Sequence, residues 1–206
     1  MSNNTIESER KSKLRHFFKN QRASFSTAEV TEKSHHISKN FIRYLAPKLL
    51  NDKTIAALYI SSGNEVQTNI IANYILQKNI ILGYPKVTSK QGAMQFVATT
   101  QTTSLIPNQL FPNLLEPQSS EVVIPNLIIA PLLAFDKNLN RLGMGGGFYD
   151  RSISQIKQTN PKLITIGLAY ESQFYHKDLP TNSHDRKMDF IVTENGVIHM
   201  KNVVTY

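Results

Sequence analysis

The sequence predicts an α/β fold: one domain over residues 1–206, built on an open, mainly parallel sheet with helices on both faces. Three observations carry this expectation. Residues 54–60 and 127–130 are short apolar runs without polar alternation, the pattern of strands covered on both faces. Between residues 54 and 84 a strand, a helix and a second strand follow one another, the βαβ rhythm of a parallel sheet. Two polar loops, 61–65 and 134–150, come directly after strand-like runs, where open α/β sheets place their ligand crevices.

Taken in order, residues 6–22 read as an amphipathic helix with Leu14, Phe17 and Phe18 on one side and Lys11, Arg15, Lys19 and Arg22 on another. Ser26-Thr27-Ala28-Glu29 is a capping box that starts a second helix, carried on by Val30, Ile37, Phe41 and Leu45 and stopped by Pro47. The strand at 54–60 follows, then a helix capped by Thr68 and running to about Gln77, then a strand at 80–84. Residues 93–99 alternate like an edge or antiparallel strand, and 100–125 are rich in Pro, Asn, Thr and Ser and least regular. After the buried strand at 127–130, closed by Pro131, the chain is expected to form a helix at 149–158, a strand at 162–169 and a hairpin of 190–192 with 197–199 about Asn195-Gly196.

Composition narrows the function. At 206 residues, with 40% hydrophobic and 18% charged residues, the chain can bury one substantial core. The absence of cysteine excludes disulfides, thiolate nucleophiles and cysteine-held metals, and the six histidines show no metal-ligand spacing. No apolar run approaches the length of a membrane span, and residues 1–10 lack the apolar stretch of a signal peptide, so a cytoplasmic location is expected. Net charge is +8, and the first 50 residues hold ten Lys/Arg against four Asp/Glu, which suits an anionic partner beside the N-terminal helices or a solvated basic face. Few aromatic side chains accompany these cations and no nucleic-acid-binding signature occurs, so nucleic acid is not the expected partner.

The most informative run is Asn140-Arg141-Leu142-Gly143-Met144-Gly145-Gly146-Gly147-Phe148-Tyr149-Asp150-Arg151. Glycines let backbone N–H groups approach phosphate oxygens, the N-terminus of a following helix favours an anion, and Arg141 adds charged donors. Asp150 is placed to hold a divalent metal on the same phosphates. The run is neither a P-loop, since no Lys-Ser/Thr follows the glycines, nor a dinucleotide fingerprint, since Phe148 stands at the third glycine position. A plain flexible turn is the alternative.

The ordered set of motifs resembles the 5-formyltetrahydrofolate cyclo-ligase family, also called 5,10-methenyltetrahydrofolate synthetases. The likeness spans nearly the whole chain: Lys11-x-x-Leu14-Arg15, Tyr59 through Glu65-Val66-Gln67-Thr68, Tyr84-Pro85-Lys86-Val87, Met94-Gln95-Phe96, Glu116-Pro117, Pro131-x-x-Ala134-Phe135-Asp136, the glycine run from Arg141 to Asp150, and Leu179-Pro180 followed by His184-Asp185 and Asp189. It departs at Leu132 and Leu139, where glycine is usual, and at Met144, where the family often has a basic or aromatic residue.

The resemblance implies an ATP- and magnesium-dependent closure of 5-formyltetrahydrofolate to 5,10-methenyltetrahydrofolate, releasing ADP and phosphate, through phosphorylation of the formyl oxygen. It implies Lys11 and Arg15 on the ATP phosphates together with Arg141, Gly143, Gly145, Gly146, Gly147 and Tyr149. Arg141 would stabilise the transferred phosphoryl group, unless it merely pairs with Asp136 or Asp150. Asp150 and Asp189 would be the magnesium carboxylates, each otherwise a cap or an exposed partner. Glu65 would act on the folate, hydrogen-bonding the pterin or orienting the formyl group. Ile60 and Tyr149, among the candidate wall residues Ile60, Met94, Phe96, Phe148 and Tyr149, would line the pterin pocket. His184-Asp185 belongs to the pattern without an assigned chemistry. The implied partners are two small molecules, with no membrane and no obligatory protein partner. Competing readings are a non-catalytic basic α/β protein that binds nucleotide or nucleic acid, and a sugar-phosphate isomerase or acyl-transfer enzyme on a related scaffold.

Overall fold

The computed structural model describes residues 3–200 and 202–204; the remaining residues of the expected 1–206 domain lie outside the described residues. Helix α1 (Asn3–Ala23) is followed by α2 (Thr27–Asn40), and both ends of the Ser26-Glu29 capping box are made: the Ser26 hydroxyl accepts from the Glu29 N–H, and the Ser26 N–H donates to the Glu29 carboxylate at 2.8 Å. Pro47 does not stop the second helix. The helix widens into a π turn at Phe41–Leu45, where the Ala46 N–H reaches back five residues to the Phe41 carbonyl, and continues as α3 (Ala46–Leu49) with Pro47 in its first turn. A first-turn proline needs no N–H partner, and the wide turn before it takes up the break in the ladder.

Next come β1 (Ile55–Ala57), α4 (Asn69–Gln77) and β2 (Ile81–Lys86), with β1 and β2 parallel as expected of a βαβ unit. Thr68 precedes α4 but does not cap it with its side chain; its hydroxyl donates instead to the Tyr59 carbonyl at 2.9 Å, fastening the helix entrance to the loop after β1. The irregular third of the chain supplies β3 (Gln95–Thr99), β4 (Leu105–Pro107), β5 (Leu115–Pro117) and β6 (Val122–Val123). Then follow β7 (Leu127–Pro131), the short pair β8 (Ala134–Phe135) and β9 (Arg141–Leu142), α5 (Phe148–Thr159), β10 (Ile164–Leu168), β11 (Phe190–Thr193), β12 (Gly196–His199) and β13 (Asn202–Val204).

Among the described residues the main sheet has nine strands in the order β13-β12-β11-β10-β7-β1-β2-β3-β6. The five from β11 to β2 are parallel, and antiparallel strands extend both sides. On one face Ile37, Phe41, Ile71 and Ile75 pack on Leu58, Leu82 and Ile129; on the other, Ile153 of α5 packs with Ala57, Ile128, Ala130 and Ile191. Phe18 of α1 reaches a third cluster with Leu133, Leu142 and Leu179, laying α1 over the loops at one end of the sheet. The chain runs outward from β1 to β2, then returns to place β7 on the other flank of β1. The crevice beyond the carboxyl ends of β1 and β7 is therefore the topological switch point.

Two departures from the family pattern have structural answers. Leu139 has φ +58°, the left-handed region that favours glycine, and holds it with a fully buried side chain. Leu132 lies against Gly167, where an added Cβ would come within 2.6 Å of both the Leu132 and Ile191 side chains.

Candidate active site

A cleft of about 1080 Å³ opens at the switch point, walled by α1, the 59–65 loop, the glycine run and residues from the 85–116 arm. Its glycines are required by geometry at two places. Gly147 takes φ +68° as the residue before α5, and no side chain caps that helix, so its first-turn N–H groups are available to an anion. Gly145 takes φ +103°, and a Cβ there would sit 3.3 Å from the Arg15 guanidinium carbon. Arg15 Nε donates to the Gly143 carbonyl at 3.0 Å, tying α1 to the loop.

Arg141 enters from β9 beneath that loop. Its Nη2 donates to Asp150 Oδ1 at 2.8 Å, so of the two salt bridges open to it the one with Asp150 forms. Asp136 is instead fully buried and accepts from the backbone of Asn138, Asn140 and Leu179. The Arg141 Nε and the Tyr149 hydroxyl are both buried with no hydrogen-bond partner. Leaving such groups unpaired costs about 1–3 kcal/mol each, an expense a bound polar ligand removes. The Arg141 guanidinium lies 6.0 Å from the Tyr149 ring centroid. Burial, with the Glu65 charge nearby, pushes the Tyr149 hydroxyl pKa far up, so it stays a neutral donor.

Glu65 faces the other side. Its Oε2 accepts from the Ser62 N–H at 3.1 Å and its Oε1 lies 3.6 Å from Arg22 Nη1. Burial raises its pKa above the ordinary carboxylate value, with Arg22 and the Ser62 N–H opposing more weakly. The neighbouring Asn64 amide donates to the Arg22 and Phe25 carbonyls at 3.1 and 2.9 Å, locking this loop to the end of α1. Ile60, Met94 and Phe148 line the cleft, whereas Phe96 is in the core. Met94 is held there by its N–H bond to Ser152 Oγ at 2.9 Å.

The structure therefore brings Lys11, Arg15, Ile60, Glu65, Arg141, Gly143, Gly145, Gly146, Gly147, Tyr149 and Asp150 into one cleft. It does not bring Asp189 there. That carboxylate caps the neighbouring strand, accepting from the Thr165 N–H and hydroxyl, both at 2.8 Å. The second aspartate that lines the cleft is Asp185, which pairs with Lys11. Its turn also brings the Arg186 N–H to Asp150 Oδ1 at 2.9 Å, so Asp150 and Asp185 lie on one wall. Sequence reasoning missed Asp185 and Arg22 as cleft residues. The His184-Asp185 motif was the available signal for the first, and Arg22 had none beyond its place on the basic helix. Among the described residues no cluster of three His, Asp or Glu side chains makes a self-sufficient metal cage. Two carboxylates beside an uncapped helix N-terminus do fit magnesium, which takes one or two carboxylates and completes its shell with phosphate and water oxygens.

The sequence model of the 5-formyltetrahydrofolate cyclo-ligase family matches residues 7–194. The chain belongs to this family. The cyclo-ligase of Haemophilus influenzae is 31% identical over 167 residues, covering 77% of this chain and 86% of its own; that of Mycoplasma pneumoniae is 30% identical over 185 residues, covering 89% and 98%. The NMR structure of Aquifex aeolicus 5,10-methenyltetrahydrofolate synthetase superposes with a TM-score of 0.77 over 95% of each chain at 26% identity. The cyclo-ligase match takes in all four walls of the cleft and agrees with the fold expected from the sequence. No helix among the described residues is long and apolar enough to cross a membrane.

Proposed function

We propose that this cyclo-ligase uses ATP and magnesium to close 5-formyltetrahydrofolate to 5,10-methenyltetrahydrofolate, with ADP and phosphate as the other products. The observation that supports it best is the pairing, in one cleft, of a cationic glycine cradle holding two buried unpartnered donors with a carboxylate, Glu65, on the opposite loop.

The formyl oxygen of the substrate is a poor leaving group. Its attack on the γ-phosphorus of ATP breaks the bond to the ADP oxygen and converts it into a phosphate ester. The neighbouring N10 then adds to the formyl carbon and gives up its proton, and phosphate departs with the former formyl oxygen and its bonding electrons. Lys11, Arg15 and the N–H groups of the glycine run hold the phosphates, and Arg141 meets the charge that develops on the transferred group. Glu65 orients the pterin or formyl group, and Tyr149 and Ile60 form the apolar wall, the Tyr149 hydroxyl donating. Asp150 and Asp185 would hold magnesium, which when bound neutralises phosphate charge.

On this reading the protein is a cytoplasmic enzyme whose partners are two small molecules, not nucleic acid. The test is near-ultraviolet absorbance of the methenyl product from protein, 5-formyltetrahydrofolate, magnesium and ATP, with an ATP-free control. ATP-dependent growth of that band supports the reaction; a flat trace from folded protein refutes it.

A further inference from the structure

Among the described residues, the cleft is lined by five cations, Lys11, Arg15, Lys19, Arg22 and Arg141, and four carboxylates, Glu65, Glu116, Asp150 and Asp185. It is thus close to neutral in a chain of net charge +8, a poor receptacle for a naked triphosphate. Within the cleft Lys11 is engaged by Asp185, and Arg141 by Asp150. Both cation side chains are almost fully buried, at 8% and 4% exposure, while their carboxylates keep 29% and 18%. The carboxylates are the accessible partners, the ones an incoming ion meets.

We propose that these two pairs are an exchange device coupling metal to nucleotide. In the ligand-free cleft Asp185 and Asp150 occupy Lys11 and Arg141. When the carboxylates turn their charge to a divalent cation, their hold on the two cations weakens and Lys11 and Arg141 become free for phosphate oxygens. Metal and nucleotide then bind with positive coupling, and each alone binds against the pairs. Asp185 and Lys11 thus each control the other's availability to its ligand. The inference rests on the nucleotide reading of the cleft and adds a direction of coupling to it.

The sign of one substitution is decisive. Asp185→Asn keeps the shape and the acceptor for the Asn182 N–H, which now meets Asp185 Oδ2 at 2.7 Å, but removes the charge on Lys11. ATP titrated calorimetrically in EDTA should bind this variant about fivefold more tightly than wild type, the upper range for a partly exposed pair, while ATP with magnesium binds it more weakly. Lys11→Met should act in reverse: manganese alone, followed by the electron paramagnetic resonance of the free ion, should bind more tightly, and ATP less. Reciprocity requires the coupling factor to be the same from either titration. Unchanged or weaker metal-free ATP binding by Asp185→Asn overturns the exchange. Wild-type protein that binds ATP neither with nor without magnesium overturns the nucleotide reading itself.

Discussion

Replacing Arg141 separates its part in holding the fold from its part in the reaction. The side chain is 4% exposed and its Nη2 is 2.8 Å from Asp150 Oδ1. Removing one member of a buried pair costs about 3–5 kcal/mol. Two features reduce that in Arg141→Ala. The unpartnered Nε disappears with the side chain, recovering about 1 kcal/mol or more, and Asp150 keeps the Arg186 N–H and part of its solvent access. The net loss is about 2 kcal/mol, read as a fall of about 1 M in the urea midpoint, and the protein stays folded. Turnover, followed by product absorbance at saturating folate, should fall by about 10²–10³ because a charged donor to the developing phosphoryl charge is gone. Arg141→Lys should recover stability better than rate, since an ammonium has no planar fork with which to hold Asp150 and phosphate together. A kcat within tenfold of wild type, with only the KM for folate raised, refutes the argument and moves Arg141 to substrate binding.

Glu65→Gln tests burial. Because folding raises the Glu65 pKa, the native state binds more protons than the unfolded chain between 4.5 and the raised value. Stability contributed by this group is therefore full below 4.5 and lost as pH rises through that window; urea melts of Glu65→Gln should lack this decline while its turnover drops. Leu139→Gly should be more stable than Leu139→Ala by about 1 kcal/mol in chemical denaturation, the reverse of the ordinary order away from left-handed backbone, because only glycine relieves φ +58°. Both should lie below wild type, having lost a buried leucine. Asp189→Ala should leave the magnesium dependence of turnover unchanged and lower stability by about 1–2 kcal/mol, since the buried Thr165 loses its acceptor; altered metal dependence would return Asp189 to the site.

The glycine run and the Lys11/Arg15 pair were legible because local rules govern them: glycines where the backbone must pass through positive φ, and cations one helical turn apart. The choice between Asp185 and Asp189 was not. Four residues apart in one polar stretch, they differ only through tertiary structure. Asp189 leads into β11 and is drawn to Thr165 of β10, while Asp185 sits in the turn that folds back on α1 and Asp150. Arg22 likewise gained its meaning from Asn64, which fastens the end of α1 beside Glu65. Pro47 does not end its helix because the π turn before it takes up the break, a compensation that local proline rules do not contain. The departure at Leu139 was visible, but its reason, a left-handed residue with a buried side chain, was not.

The contact between Lys11 and Asp185 joins residues 174 positions apart. During synthesis the basic face of α1 leaves the ribosome well before the wall it must meet, which follows 174 residues later. A partly made chain can build its early βαβ unit while α1 still has neither the glycine cradle nor Asp185 to dock against. The cleft is thus assembled as a late, non-local closure between α1 and the turn that carries Asp185, and a chain interrupted between them presents a basic helix without the wall it docks against.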